Sequence, residues 1–399
     1  MSQDLPEWVS PETIAVRGGM MRSGFFETSE ALYLNSGYVF DSAEAAERAF
    51  TGEDKRFVYT RYGNPTVEMF TERLRQIEGT EAAFATASGM AAVFVALGSL
   101  LKSGDRLVAA RSLFGSCFVI CNQILPSWGV QVDFVDGEDL DQWAAALSEP
   151  TTAVFFETPS NPMQTLVDVA AVAELAHAAG ATVVLDNVFA TPLLQRGVDL
   201  GADVIVYSGT KHIDGQGRVM GGAVMGSQEF ISGPVRELMR HLGPALSPFN
   251  AWVMLKGLET MKLRLDQSVA SALTIAQFLD ADPRVSRAIY PYLPSHPQYE
   301  LARRQMAGGG TVVTFELAQR PGLTGKQRAF EVLNGLQIVD ISNNLGDAKS
   351  LITHPATTTH RAMGPDGRAA IGLTDAMVRL SVGLENVDDL IRDLDHALG

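Results

Sequence analysis

Up to about residue 63 the apolar residues keep no sustained period, and Gly18, Gly19, Gly24, Gly37 and Gly63 interrupt them. A short helix over 42–50 (SAEAAERAF) is the regular element predicted there. An arm of this length with little structure of its own needs a partner surface to order it. From Asn64 the pattern sharpens. Val67, Phe70, Leu74 and Ile77 recur at spacings of three and four, the apolar face of a helix that Gly79 ends. An apolar run follows at 82–86, then Ser88-Gly89, then an Ala-rich helix over 90–101. Strand-like runs come next at 106–110, 130–136, 152–157, 182–186, 203–207 and 222–225, with helix-like runs at 115–126, 139–147 and 169–179. Strands alternating with helices of this length predict βαβ units and a mostly parallel sheet. VVLD (183–186) and VIVY (204–207) lack polar alternation, as strands covered on both faces do. Residues 248–281 read as long helix with a break near 264–268. After it come AIY, TVVTFEL, a helix at 325–334, QIVDI and VRLSVGL. The pattern therefore predicts an α/β fold in three parts: an arm over 1–63, a sheet domain over 64–255 and a smaller C-terminal α/β domain over 256–399.

Composition agrees with a chain of more than one unit. At roughly 150 residues per domain, 399 residues make two or three. With 46% hydrophobic and 19% charged residues there is ample material for a core, which excludes disordered, collagenous and low-complexity architectures. A net charge of −15 argues against a nucleic-acid duplex or an anionic membrane as main partner. It leaves room for a locally positive pocket that takes a small anion. Two cysteines make no disulfide framework. Cys117 and Cys121, four apart in an apolar stretch, read as buried hydrophobes on one helix. The N-terminal MSQDLPEWVSPET has no basic-then-apolar signal, and no run of roughly 18 apolar residues occurs, so a cytoplasmic protein is expected.

Several familiar motifs are missing. No G-x-G-x-x-G follows a strand, no G-x-x-x-x-G-K-[ST] occurs, and no histidine forms H-E-x-x-H. His354 and His360 stand in a loop beside prolines and threonines and read as structural, so no metal is expected. Ser208-Gly-Thr-Lys211 is formally S-x-x-K, but S-D-N and K-T-G are absent and the serine leads into a glycine-rich loop.

Open α/β sheets bind ligands beyond the carboxyl ends of their strands. At those ends stand Asp186, then Ser208, Thr210 and Lys211, then Glu157-Thr-Pro-Ser-Asn161-Pro, with Ser88-Gly89-Met90 opening a helix. A lone lysine after a strand is usually solvated, and a lone aspartate there is usually a turn former. Their co-occurrence with the Ser-Gly helix start points to pyridoxal phosphate. That cofactor needs a lysine for its Schiff base, an acid opposite its pyridinium nitrogen and an anion cradle. Lys211, held by a β-turn, supplies the first and Asp186 the second. The N–H groups of Gly89 and Met90, with hydroxyls from Ser88, Ser208 and Thr210, supply the third. A desolvated lysine near other cations serves as both amine nucleophile and base.

The blocks Tyr59-Thr-Arg61-Tyr-Gly-Asn-Pro-Thr66, Ala87-Ser-Gly-Met-Ala91, Glu157-Thr-Pro-Ser-Asn-Pro162, Asp186-Asn187, Tyr207-Ser-Gly-Thr-Lys-His212 and Val378-Arg-Leu-Ser-Val-Gly-Leu-Glu385 stand in order along most of the chain. Together they resemble the trans-sulfuration (Cys/Met metabolism) family of pyridoxal phosphate enzymes. The resemblance implies a type I PLP-dependent transferase fold with a mostly parallel central sheet and a smaller C-terminal α/β domain. It implies Lys211 as the Schiff-base residue, Asp186 as the pyridinium partner, and Gly89, Met90, Ser208 and Thr210 at the phosphate. It implies that Tyr59 and Arg61 reach a neighbouring subunit's phosphate, and hence a homotetramer built from tight dimers with shared active sites. It places Asn161 at the cofactor, Arg379 on the substrate α-carboxylate, whose two oxygens suit a guanidinium fork, and Thr359 and Tyr38 also at the substrate.

Two positions depart from the family pattern. Leu113-Phe114-Gly115 stands where the family usually has a tyrosine stacked on the cofactor; the ring can still stack, but the phenol is gone, which argues against β- or γ-lyase chemistry. Asn343-Asn344-Leu-Gly stands where many relatives have a serine, and Asn344 remains a candidate for positioning substrate. With LNSGYVFDSAE near residue 40 and the short chain, these departures resemble the O-succinylhomoserine sulfhydrylase branch. That branch implies small-molecule substrates, an O-acylhomoserine with sulfide or cysteine, and homocysteine formation in methionine biosynthesis. Cystathionine γ-synthase, O-acetylhomoserine sulfhydrylase, a methionine or cystathionine γ-lyase and a non-catalytic PLP-fold protein are the alternatives.

Overall fold

The computed structural model describes residues 5, 6 and 8–399. Residues 1–4 and 7 of the expected arm, and so part of the N-terminal stretch read for a targeting signal, lie outside it. Among the described residues the strands form two sheets. The larger contains β1 (Ala82–Thr86), β2 (Arg106–Ala110), β3 (Gln131–Val135), β4 (Ala153–Glu157), β5 (Thr182–Asp186), β6 (Val204–Ser208) and β7 (Gly222–Gly226), in the order β1-β7-β6-β5-β4-β2-β3. Strands β6, β5, β4, β2 and β3 run parallel, and β7 is antiparallel to both its neighbours. β4 and β7 are buried at every position, with Glu157 at the end of β4 the one charged residue among them. One side of the sheet packs Phe70, Leu74 and Ile77 of helix Pro65–Glu78 around Val154, Phe156 and Leu185. The other packs Val93, Val95 and Leu97 of helix Gly89–Leu100 around Leu107, Phe155 and Val184. Cys117 and Cys121 are both buried in this second layer.

The smaller sheet contains β8 (Val285–Ile289), β9 (Val312–Leu317), β10 (Asp340–Ile341), β11 (Leu351–Thr353) and β12 (Met377–Ser381), in the order β10-β11-β12-β9-β8. Two helices, Pro248–Glu259 and Met261–Ala281, lead into it. The chain breaks at Thr260, not at the expected 264–268. Arg264 explains the position. Its guanidinium donates to the Gly257 carbonyl (2.7 Å), satisfying a group that the interrupted helix leaves open, and to the His212 carbonyl (2.8 Å).

Other expectations need correction. The arm carries a helix at Pro11–Arg17, started by proline, which buries Ala15 against the core. Lys211 sits in a wide π-type turn over Gly209–Ile213 rather than a β-turn, with its own backbone at φ −97°, ψ −125°. The run QIVDI pairs only at Asp340–Ile341, because the N–H groups of Gln337, Ile338 and Val339 bond instead to the Asp393 carboxylate at 2.7–3.0 Å. Asp393 belongs to helix Val387–Leu398, which the periodicity reading passed over although Asn386 caps it and Asp388 and Asp389 fill its first turn. Strand Leu351–Thr353 and helix Tyr299–Gln305 also lie outside the elements that the sequence pattern predicts. No helix among the described residues is long and apolar enough to cross a membrane.

A buried ion cluster ties the arm to the body. The Glu30 carboxylate receives Arg73 and Lys256, and the Glu30 carbonyl accepts from Trp252 Nε1 at 2.9 Å. Both Glu30 and Arg73 side chains are fully buried. Removing one partner leaves the other charge desolvated, so Glu30→Ala should lower unfolding stability by about 3–5 kcal/mol. Urea denaturation followed by circular dichroism measures this, and an unchanged midpoint would deny the cluster that role.

Candidate active site

Strand order reverses at β2, which has β3 on one side and β4 on the other. Crevices outside the carboxyl ends of strands at such a reversal are where open α/β sheets take ligands. A cavity of about 320 Å³ lies there. A cleft of about 340 Å³ beneath the arm is of similar size, but no lysine is among its lining residues. The first cavity gathers Lys211, Asp186 and Arg379, and so it is the candidate.

Ser88, Gly89 and Met90 form one end of it. The Ser88 hydroxyl caps helix Gly89–Leu100 by accepting from Ala91 N (3.1 Å), and Ala92 N bonds the Ser88 carbonyl (3.1 Å). The N–H groups of Gly89 and Met90 are left with no partner among the described residues, an anion cradle at a helix N-terminus. Glycine at 89 is required by close approach, since a Cβ there would lie 2.6 Å from Ser208 Cβ. Ser208 and Thr210 line the same end, and Thr210 Oγ1 also takes part in bonds with the Gly221 backbone at 3.3–3.4 Å.

Lys211 Nζ donates to Asn344 Oδ1 at 2.5 Å. Burial, with Arg379 nearby, pulls the amine down to about 8. Asp186 and Glu157 stand side by side, paired in register between β5 and β4. Both carboxyls are pushed up, each chiefly by burial, and Glu157 further by the charge of Asp186. Two such neighbours cannot both ionise freely.

Arg379 lies in β12 and is 1% exposed. Its fork donates to Asn161 Oδ1 (3.0 Å) and to the carbonyls of Asn343 (2.9 Å) and Asn344 (3.2 Å). It has no carboxylate partner among the described residues, and its Nε is buried without an acceptor. Burial brings this guanidinium down to about 10. A buried, unpaired cation that lines a cavity is a receptor for an anion. His354 and His360 have both ring nitrogens engaged by threonine hydroxyls and backbone carbonyls, as structural histidines do.

Phe114, Asn161 and Thr359 also line the cavity, and Asn344 reaches it through Lys211. Three of the predicted residues are not brought there by this chain. Tyr38 stacks on Phe57 at 5.7 Å, Tyr59 packs edge-on against Tyr62 at 5.8 Å, and Arg61 lies over both Tyr59 and Tyr62 while bonding the Arg240 carbonyl. The sequence reading assigned nothing to Glu157, Cys117, Val188 and Phe189, which line the cavity as well. Glu157 was visible as an acid ending a buried strand; the other three carry no signal outside the fold.

The residues fit pyridoxal phosphate: an amine with a lowered pKa, an acid at a neighbouring strand end, and unpartnered N–H groups at a helix start. Comparison with known proteins agrees. Residues 12–399 match the model of the family described as Cys/Met metabolism PLP-dependent enzyme. The O-succinylhomoserine sulfhydrylase of Mycobacterium tuberculosis is 71% identical over 394 residues, 99% of this chain and 97% of the relative. That of Pseudomonas aeruginosa is 47% identical, covering 97% and 94%. A crystal structure of a putative O-acetylhomoserine (thiol)-lyase from Campylobacter jejuni, with N'-pyridoxyl-lysine-5'-monophosphate, superposes with a TM-score of 0.92 at 30% identity, covering 98% of this chain and all (100%) of the other. The chain belongs to the Cys/Met metabolism family of PLP-dependent enzymes.

The lowered amine has a direct readout. In cofactor-free protein an amine-selective reagent should label Lys211 with a midpoint near pH 8, against roughly 10.4 for an ordinary lysine. Because the folded pKa lies below the unfolded one, folding is penalised at neutral pH and gains stability as pH rises from 8 toward 10.5. Mass-spectrometric labelling that rose only above pH 10 would contradict the geometry.

Proposed function

We propose that this chain catalyses a γ-replacement in methionine biosynthesis: O-succinylhomoserine and hydrogen sulfide give homocysteine and succinate. The observation that carries the reading is the shared cavity of the Lys211 amine and the Arg379 fork, a base beside a carboxylate receptor. The 71% identity to a sulfhydrylase favours this reaction over others in the family. Phe114 in place of a stacking tyrosine leaves no phenol on that ring for lyase acid–base chemistry.

Pyridoxal phosphate supplies the electron sink that makes the substrate Cα and then Cβ protons acidic. Lys211 would hold it, with Asp186 opposite the ring nitrogen, Phe114 against the ring face, Asn161 beside it, and Ser88, Gly89, Met90, Ser208 and Thr210 on the phosphate. Arg379 binds the substrate carboxylate with its fork and fixes the position of Cα. Lys211 Nζ, once free, takes the Cα proton, and it does so near neutral pH because burial keeps it from holding that proton tightly. Removal of a Cβ proton then lets succinate leave from Cγ; sulfide adds there and protons return to Cβ and Cα. Asn344 orients Nζ between these transfers, and Thr359 and Tyr38 complete the substrate contacts.

The arm is read as contacting a second subunit. Phe25, Phe26, Leu34 and Val39 expose 94%, 79%, 68% and 88% of their surfaces, an apolar display that isolated soluble chains seldom carry. Tyr59 and Arg61, absent from their own cavity, then serve a neighbour's phosphate, in a homotetramer made of dimers and residing in the cytoplasm. The division into residues 1–63, 64–255 and 256–399 belongs to the same reading.

Lys211→Ala should abolish turnover and leave only weak, non-covalent cofactor. Arg379→Ala should raise KM for the amino acid roughly ten- to hundredfold, as loss of a charge-assisted fork would. With O-succinylhomoserine, sulfide and cysteine in competition, homocysteine should dominate the products by mass; cystathionine as main product would transfer the assignment to cystathionine γ-synthase.

A further inference from the structure

Glu157 is 7% exposed, and it carries no part of the reaction described above. Its two oxygens are divided between two loops. Oε2 accepts the backbone N–H of Phe114 at 2.9 Å, and Oε1 accepts that of Asn161 at 2.7 Å. Phe114 is one of the two phenylalanines that line the cavity, and it stands on the loop that follows β2. Asn161 is the residue whose side chain receives Arg379 Nη1, and its carbonyl is bonded to His360 Nε2. One carboxyl at the end of β4 therefore sets the height of the ring and the place of the amide that aims the fork.

We infer that Glu157 is a positioning residue that holds Phe114 over the cofactor and, through Asn161, holds Arg379 on the substrate carboxylate, so that ring and carboxylate stay in register. The inference rests on the PLP-binding reading of this cavity. A glutamate suits the task because a carboxylate offers acceptors on both oxygens. A glutamine in its place presents one acceptor and one NH₂, which faces a backbone N–H and cannot bond it. One of the two loops is then released. The location beside Asp186 is the cost: a second acid is buried next to the one the cofactor needs. Asn187, the residue after Asp186, would make no such link, since its amide is spent on Tyr207 and Gln195.

The test uses the full-length protein carrying Glu157→Gln. Three quantities are read: the dissociation constant of pyridoxal phosphate, the visible circular dichroism of the bound cofactor, and the dissociation constant of glycine from the shift in visible absorbance. Glycine has an amine and a carboxylate but no leaving group, so its binding reports Arg379 without turnover. The variant should bind glycine about tenfold more weakly, of the order expected for one lost hydrogen bond, and should show an altered visible dichroism. A purely structural role would lower the thermal midpoint while leaving the dichroism and the glycine constant as in the unsubstituted protein, and that result overturns the inference. Should Glu157→Gln fail to accumulate, Glu157→Asp keeps the carboxyl group and shortens the reach by one methylene. The same weakening is expected of it, and undiminished glycine binding there also overturns the inference. None of these readings needs an acyl donor or sulfide. A protein that lacked sulfhydrylase activity but showed the glycine and dichroism changes would refute the proposed reaction and leave the role of Glu157 standing.

Discussion

A guanidinium buried with no carboxylate beside it is the constraint on which this site depends. Arg379 sits in the middle of the smaller sheet, yet what neutralises its donors comes from elsewhere: an amide at the end of β4 and two carbonyls from the 343–344 loop. Neutral acceptors satisfy hydrogen bonds without cancelling charge, so the cation stays available to an incoming anion. An aspartate in the position of Asn161 would have stabilised the empty protein and closed the receptor. The two sheets are thus joined across the cavity by a bond whose polarity leaves one charge unspent.

The rest of the cavity distributes charge by the same logic. Its cations, Lys211 and Arg379, are pulled toward neutrality by burial, and its acids, Glu157 and Asp186, are pushed toward protonation by burial. No side in this arrangement is fully discharged by the other. Such groups respond strongly to a bound ionic ligand, because charges are screened weakly at buried positions. The helix start at Gly89 adds fixed partial charge without any titrating group. A chain with a net charge of −15 accordingly presents a pocket suited to anions.

Much of this was legible in the order of residues, for a physical reason. Strands buried on both faces must be apolar throughout, so β4, β5 and β6 announce themselves, and the first polar residues after them are those at the carboxyl edge. That places Asp186, Ser208 and Lys211 together on sequence grounds alone. What escaped the sequence depends on partners distant in the chain. The truncation of QIVDI needs Asp393, 54 to 56 residues away; the helix break at Thr260 needs the carbonyls that Arg264 finds. Glu157 looked like one more strand-end acid, since nothing local shows that its oxygens meet Phe114 and Asn161. Tyr38, Tyr59 and Arg61 came only from family resemblance, and a single chain leaves them away from its own cavity.

The interruption at Thr260 also has a mechanical side. Arg264, in the first turn of the long helix, grips the carbonyl of His212, the residue after the lysine. Any rotation of the smaller sheet about this break would have its axis beside the amine. Displacement grows with distance from an axis. A helix of 21 residues is about 30 Å long, so a swing of about 5° would carry its far end by roughly 3 Å while the atoms around Lys211 scarcely moved. In such a swing the outer rim of the cavity would move as the free edge of a door does, with the reactive nitrogen set at the hinge post.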